Sequence, residues 1–247
     1  MKRIERHILA AVNEGAARTA VRVVADRMAG HLAVPVHEVD GGIPVNLLAD
    51  HVESPEAVLA VFAISPSSEV EGQNDTAFSV ARRVTKPMLL VPPTLDAWSG
   101  PRQVLVPLDG TGVTAFAAST ALAAFAVPCV VATVVHVFDK ETVPPFWDNP
   151  HYEYEAWTKE FQARYATTIG ETVVIRAGPV GDQLMDMAAS GAYDLVIVVW
   201  SQRTSDGRAQ VVVDLLAKSP VPILLVPTSF VAHVLTHRVD PSWASVA

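Results

Sequence analysis

Residues able to do chemistry gather at two points of this 247-residue chain, the end of one apolar run and the loop after another. Asp109 closes the run Val104-Leu-Val-Pro-Leu and is followed by Gly110-Thr111-Gly112. A carboxylate at the carboxyl end of a buried strand stands where open α/β sheets bind small ligands. It can accept hydrogen bonds from a ribose or an adenine. It can equally accept backbone N–H groups and cap the helix that follows. Arg203 and Arg208 lie in the second place, the loop 201–208. Their guanidinium forks suit phosphate oxygens, unless they are simply solvated loop charges. Gly110-Thr-Gly112-Val-Thr-Ala115 also fits the loose dinucleotide pattern G-x-G-x-x-[G/A], with Asp139 closing the next strand. The distance to that acid exceeds the usual ~20 residues of the pattern.

Other chemistry is thin. His233 and His237 stand four apart, a spacing that suits metal on a helix, but no third ligand lies nearby. Cys129 is the single cysteine and sits in an apolar run, so it reads as a buried thiol with no disulfide and no thiolate metal site. There is no G-x-S-x-G, no H-E-x-x-H and no Walker loop. Asp182, Asp186 and Asp214 read as helix-surface charges. The expectation is a protein without catalysis and without metal.

The elements that position these residues follow from the apolar pattern. In the second half, short uninterrupted runs at 104–108, 130–138, 173–175, 195–200 and 223–226 predict strands buried on both faces, as in a parallel sheet. Segments of helical spacing lie between them at 115–125, 154–167, 181–189 and 209–218. This alternation implies a doubly wound, layered α/β fold. The first half is shorter, with strands expected at 8–12, 34–39, 58–64 and 88–91 and a helix over 16–28. Aromatic residues are densest in 146–161, where Trp157 and Phe161 at i, i+4 suit the buried face of a helix. A lid over a ligand, or a partner surface exposing Trp147 and Tyr152, is the other reading.

Three segments recur in the same order, which predicts one α/β unit in tandem. The stretch from His7 is echoed from Gln103, Ile43-Pro-Val-Asn by Gly178-Pro-Val-Gly, and Lys86-Pro-Met-Leu-Leu-Val-Pro by Val221-Pro-Ile-Leu-Leu-Val-Pro. The first copy lacks an equivalent of the run 130–138 and of the helix after it. The expected boundaries are a degenerate first domain over 1–93, a linker over 94–101, a full domain over 102–228 and a tail over 229–247. Four strands are expected in the first copy and five in the second, meeting at one interface rather than in a single continuous sheet.

The second copy resembles the universal stress protein family. The resemblance rests on Val104-Leu-Val-Pro-Leu-Asp-Gly-Thr, Val134-Val-His-Val, Gly178-Pro, Asp194-Leu-Val-Ile-Val and Pro220-Val-Pro-Ile-Leu-Leu-Val-Pro, in order over 102–227. It implies a flavodoxin-like or Rossmann-like fold, pairing of the two copies as a pseudo-dimer through the last strands, and a stress-response or regulatory role. In one branch it also implies ATP binding through G-x2-G-x9-G-[S/T] after strand four. Here that stretch reads Val199-Trp200-Ser-Gln202-Arg203-Thr-Ser-Asp-Gly207-Arg208-Ala209-Gln210, without the glycine pattern, and the first copy offers only Ile64-Ser-Pro-Ser-Ser-Glu. If a nucleotide binds, the resemblance implies Asp109, Gly110, Thr111 and Val137 toward base and ribose. Ser201, Arg203, Gly207 and Arg208 would then face the phosphates. In the first copy the Asp position is Asn13. No cofactor is expected beyond weak ATP or AMP.

Bulk properties set the remaining expectations. A formal charge of −8 excludes a general nucleic-acid binder. No apolar run approaches the roughly 18 residues of a membrane span, and the start of the chain lacks the apolar stretch of a signal peptide. A cytoplasmic protein is expected. Its partners would be the other half of its own chain, an unidentified protein, or a second copy using the 146–161 segment.

Overall fold

The computed structural model describes residues 5–13, 15–64, 75–125, 130–138, 150–169, 172–203 and 208–230. The first half runs β1 (His7–Val12), α1 (Ala16–Leu32), β2 (Val36–Asp40), α2 (Val45–Glu53), β3 (Ala57–Ala63), α3 (Thr76–Ala81) and β4 (Met88–Val91). The second runs β5 (Gln103–Pro107), α4 (Gly112–Phe125), β6 (Val131–Phe138), α5 (Pro150–Phe161), β7 (Thr172–Ala177), α6 (Val180–Ala189), β8 (Leu195–Trp200), α7 (Arg208–Lys218) and β9 (Ile223–Pro227). A turn of π-helix, Gln162–Ala166, extends α5. Strand and helix alternate as the apolar runs predict, with boundaries shifted by a few residues at most elements.

The strands form one nine-stranded sheet in the order β2-β1-β3-β4-β9-β8-β5-β6-β7. All pairings are parallel except β4 with β9, which run antiparallel with Leu89 opposite Leu224. This corrects the expectation of two separate sheets. Two last strands that meet edge to edge exchange backbone hydrogen bonds, and those bonds fuse their sheets. Removing β6 from the second half leaves β7-β5-β8-β9, the same order as β2-β1-β3-β4 in the first.

Side-chain alternation divides the interior into two layers. Leu89, Val91, Val104, Val106, Leu195, Ile197, Leu224 and Val226 face one cluster with α1 and α4. Leu90, Leu105, Val196, Val198, Trp200, Ile223 and Leu225 face the other with α2, α3, α6 and α7. Every residue of Met88–Val91 and of 223–226 is at most 1% exposed, so the strands that join the halves lie in a dry interior.

The segment 94–101 is not a loose tether. Trp98 is buried in the first layer, and its Nε1 donates to the carbonyl oxygen of Asp194 at 2.8 Å. The Asp194 carboxylate accepts the backbone N–H groups of Arg102 and Gln103 at 3.0–3.2 Å. The connection is therefore docked along its second half. Pro, Ser and Gly composition reported the bends but not the buried tryptophan.

Candidate functional site

The carboxyl ends of β5, β6 and β8 carry the residues singled out in the sequence. Asp109 is exposed just beyond β5. Its Oδ1 accepts from Thr111 N at 3.0 Å, Thr111 Oγ1 at 2.8 Å and Thr114 Oγ1 at 2.5 Å. The helix itself is capped by Thr111, whose Oγ1 accepts from Thr114 N at 3.4 Å, and Asp109 braces the turn ahead of that cap. Three donors on one oxygen, at the start of a helix with no other acid in its first turn, hold the loop and offset the helix dipole. Gly110 has φ +79, a left-handed backbone that glycine adopts without a Cβ penalty. A Cβ built there would lie 3.6 Å from Phe161 and 3.7 Å from His136.

Those two rings belong to an aromatic cluster over the strand ends. His136 on β6 stacks on Trp157 with centroids 5.3 Å apart and lies 4.8 Å from both Phe138 and Phe161. Trp157 and Phe161 stack at 5.3 Å along α5, and Tyr165 continues the row at 5.1 Å. The i, i+4 spacing predicted this face, and it packs on the sheet as core cover. Trp147 lies outside the described residues, as does the side chain of Tyr152. His136 Nδ1 lies 2.8 Å from the carbonyl oxygen of Leu108, so this nitrogen donates and Nε2 holds the lone pair of the neutral ring. Burial lowers its pKa below the usual histidine value, opposed by the Leu108 bond and by Asp109. Val137 lies one residue further on, beyond the last β5–β6 partner pair, which is Pro107 with Val135.

After β8 the chain turns toward the first half. Trp200 is buried, packs in the second layer and meets Phe78 of α3 with centroids 5.4 Å apart. Its indole Nε1 is buried without a hydrogen-bond partner. Ser201 is exposed, and Gln202 sits at φ +61. The Gln202 Nε2 donates to the carbonyl oxygens of Ala81 at 2.9 Å and Val84 at 2.6 Å, at the C-terminal end of α3. Arg203 is exposed, Gly207 lies outside the described residues, and Arg208 opens α7 with its side chain outside them. The sheet thus brings Asp109, Gly110, Thr111 and Val137 to one edge, with Ser201 and Arg203 on the same edge beyond β8. Asn13 of the first half follows β1, where its side chain fills the space a Cβ on Gly41 would need.

A family model for universal stress proteins matches residues 101–227, just over half of the chain. The chain belongs to the universal stress protein family. No curated protein matches it in sequence. Among solved structures, a universal stress protein of Pseudomonas aeruginosa UCBPP-PA14 is similar over 94% of this chain and 97% of its own, at 14% identity and TM-score 0.62. A functionally unknown protein of Pseudomonas aeruginosa PAO1 is similar over 94% and 96%, at 12% identity and TM-score 0.60. A universal stress protein of Archaeoglobus fulgidus DSM 4304 covers 78% of this chain and 70% of its own, at 12% identity and TM-score 0.57. At these identities the likeness is one of fold.

The remaining candidates separate cleanly. Gly112 starts α4 as the dinucleotide pattern requires, but Asp139, Cys129, His233 and His237 lie outside the described residues. Asp182 and Asp186 are exposed on α6, while Asp214 is half-buried, with Oδ2 3.5 Å from the Cβ position of Gly181. Among the described residues no group of three metal-ligating side chains converges, and no helix is long and apolar enough to cross a membrane. The sequence reading missed His136 and Gln202. The histidine was visible only as a family motif, and nothing local marks a glutamine whose partners lie about 120 positions away.

Proposed function

We propose that this universal stress protein is a cytoplasmic, non-enzymatic stress-response or regulatory protein that has lost the glycine motif of its ATP-binding relatives. The observation that carries this reading is the segment Trp200–Gln202. Where phosphates would need close approach to glycine amides, this chain has a buried indole and a glutamine bonded to α3. Two further features support it. Asp109 is occupied by Thr111 and Thr114 in the turn before α4, and the rings of His136 and Phe161 stand against Gly110 where a base would lie. Binding would have to displace both.

The chain is further read as a tandem, with a degenerate copy over 1–93 joined by 94–101 to a full copy over 102–228. The shared strand order supports a duplication in which the first copy lost β6 and α5. The halves then act as a pseudo-dimer, and a second chain would bind elsewhere, with 146–161 as the first candidate.

Calorimetric titration with ATP and AMP near 0.15 M salt tests the proposal. The expected affinity is no tighter than about millimolar, roughly −4 kcal/mol, with no ATP turnover above buffer. Micromolar ATP binding that Asp109→Ala abolishes would overturn it. That result would favour the second reading, a nucleotide-binding module built on Asp109 and the loop 201–208. The exposure of Asp109, Ser201 and Arg203 on one sheet edge supports that alternative.

A further inference from the structure

Arg82 and Arg83 follow α3 in the first half, and Arg203 follows β8 in the second; all three are exposed. Among the described residues the ion pairs are Arg18 and Arg22 with Glu38, and Arg164 with Glu160, so these three arginines have no carboxylate partner. Gln202 joins the two segments that carry them. The two carbonyls that receive its Nε2 belong to Ala81 and Val84, the residues on either side of Arg82-Arg83. Its left-handed backbone costs roughly 1 kcal/mol for a residue with a Cβ, and Arg203 follows it directly in the chain. Trp200 against Phe78 holds the same two elements from within the core. The 11-residue helix α7 begins at Arg208, a few residues beyond, with no acid in its first turn.

Like charges close together repel, and a chain of net charge −8 has acids to spare for pairing. Three exposed arginines without a carboxylate partner among the described residues, on two segments joined by Gln202, suit a multivalent anion. A long nucleic acid would meet the repulsion of the rest of the surface. Guanidinium forks match phosphate oxygens closely. We propose that the junction formed by Arg82, Arg83 and Arg203 binds the phosphate chain of a small oligophosphate, with Gln202 as the positioning residue. The patch needs no base pocket and is independent of whether the space over Gly110 is filled.

The test is calorimetric titration of the full-length protein with inorganic tripolyphosphate and, separately, ATP, first at low ionic strength and then near 0.15 M salt. Tripolyphosphate should bind, weaken with salt, and weaken about tenfold or more in Arg82→Ala/Arg83→Ala and several-fold in Arg203→Ala, as lost charged hydrogen bonds imply. Arg27→Ala, an exposed arginine on α1, should change nothing beyond the general charge effect. Gln202→Ala leaves all three charges in place and should still weaken binding, with the fold checked by thermal unfolding. ATP should bind within about threefold of tripolyphosphate, because only the phosphates are held. No binding at low salt, or binding indifferent to the arginines, would overturn the proposal. So would equal binding of a Glu-rich peptide, which would make this a docking face for acidic proteins. ATP binding far tighter than tripolyphosphate and lost in Asp109→Ala would overturn it too, because the nucleoside would then be held, and would also count against the filled pocket over Gly110. Tripolyphosphate binding lost with the arginines but unchanged in Asp109→Ala supports the proposal by itself.

Discussion

Replacing Leu89 and Leu224 by alanine, singly and together, measures how firmly β4 and β9 unite the halves. The two leucines are direct partners in the antiparallel pair, each 1% exposed. Both line one apolar crevice with Met28, Leu122, Phe125 and Ile197. Removing three carbons from such a site costs about 2–5 kcal/mol, the lost transfer energy plus the cavity left behind. The crevice already loosens the packing on this side, so each single change should fall near the lower end, about 2–3 kcal/mol. Because the cavities would merge, the double variant should differ from the sum by about 0.5 kcal/mol or more. Against a total of about 5–15 kcal/mol, the pair should bring the protein close to its folding limit. Urea unfolding followed by tryptophan fluorescence and far-UV dichroism gives all four corners of the cycle. One shared transition is expected throughout. Two separated transitions, or effects that add strictly with each single change below about 1 kcal/mol, would refute a joint core at this junction.

Acid should destabilise the aromatic cluster. Burial holds the His136 pKa below its value in the unfolded chain, so the folded state disfavours the charged ring. Stability from this group is intact above about pH 6.5 and is lost as pH falls below that toward the folded pKa. His7, also lowered by burial and by nearby His37, acts in the same direction. His136→Phe should flatten the acid side of a plot of Tm against pH, and an unchanged slope would remove His136 as the cause. A fragment of residues 102–247 exposes the whole edge of β9 and should dimerise or precipitate. Light scattering from a stable, soluble monomer would count against the pseudo-dimer.

Periodicity made most of the fold legible. Short, continuous, β-branched runs such as Leu195–Trp200 suit strands covered on both faces, and helical spacing marked the segments between them. The echo of Lys86-Pro-Met-Leu-Leu-Val in Val221-Pro-Ile-Leu-Leu-Val gave the matching last strands, and their unbroken apolarity implied that something must cover them. Local chemistry also identified Asp109, because a strand-end aspartate before a helix has few roles. Capping or ligand binding stayed open, since both use the same oxygen. The family resemblance implied that the last strands meet, as β4 and β9 do, but not that their pairing fuses all the strands into one sheet, since register is a property of two segments far apart in the chain. Nor did it show that Lys86 would be buried, donating to the carbonyl oxygens of Ser54 and Ala57. The same limit applies to Trp98 on Asp194 and to Gln202 on α3. Composition and spacing report which face of an element is apolar, because burial of that face dominates the energy. A hydrogen bond between distant residues adds only about a kilocalorie per mole and leaves no periodic trace, so tertiary structure alone decided where these polar side chains are spent.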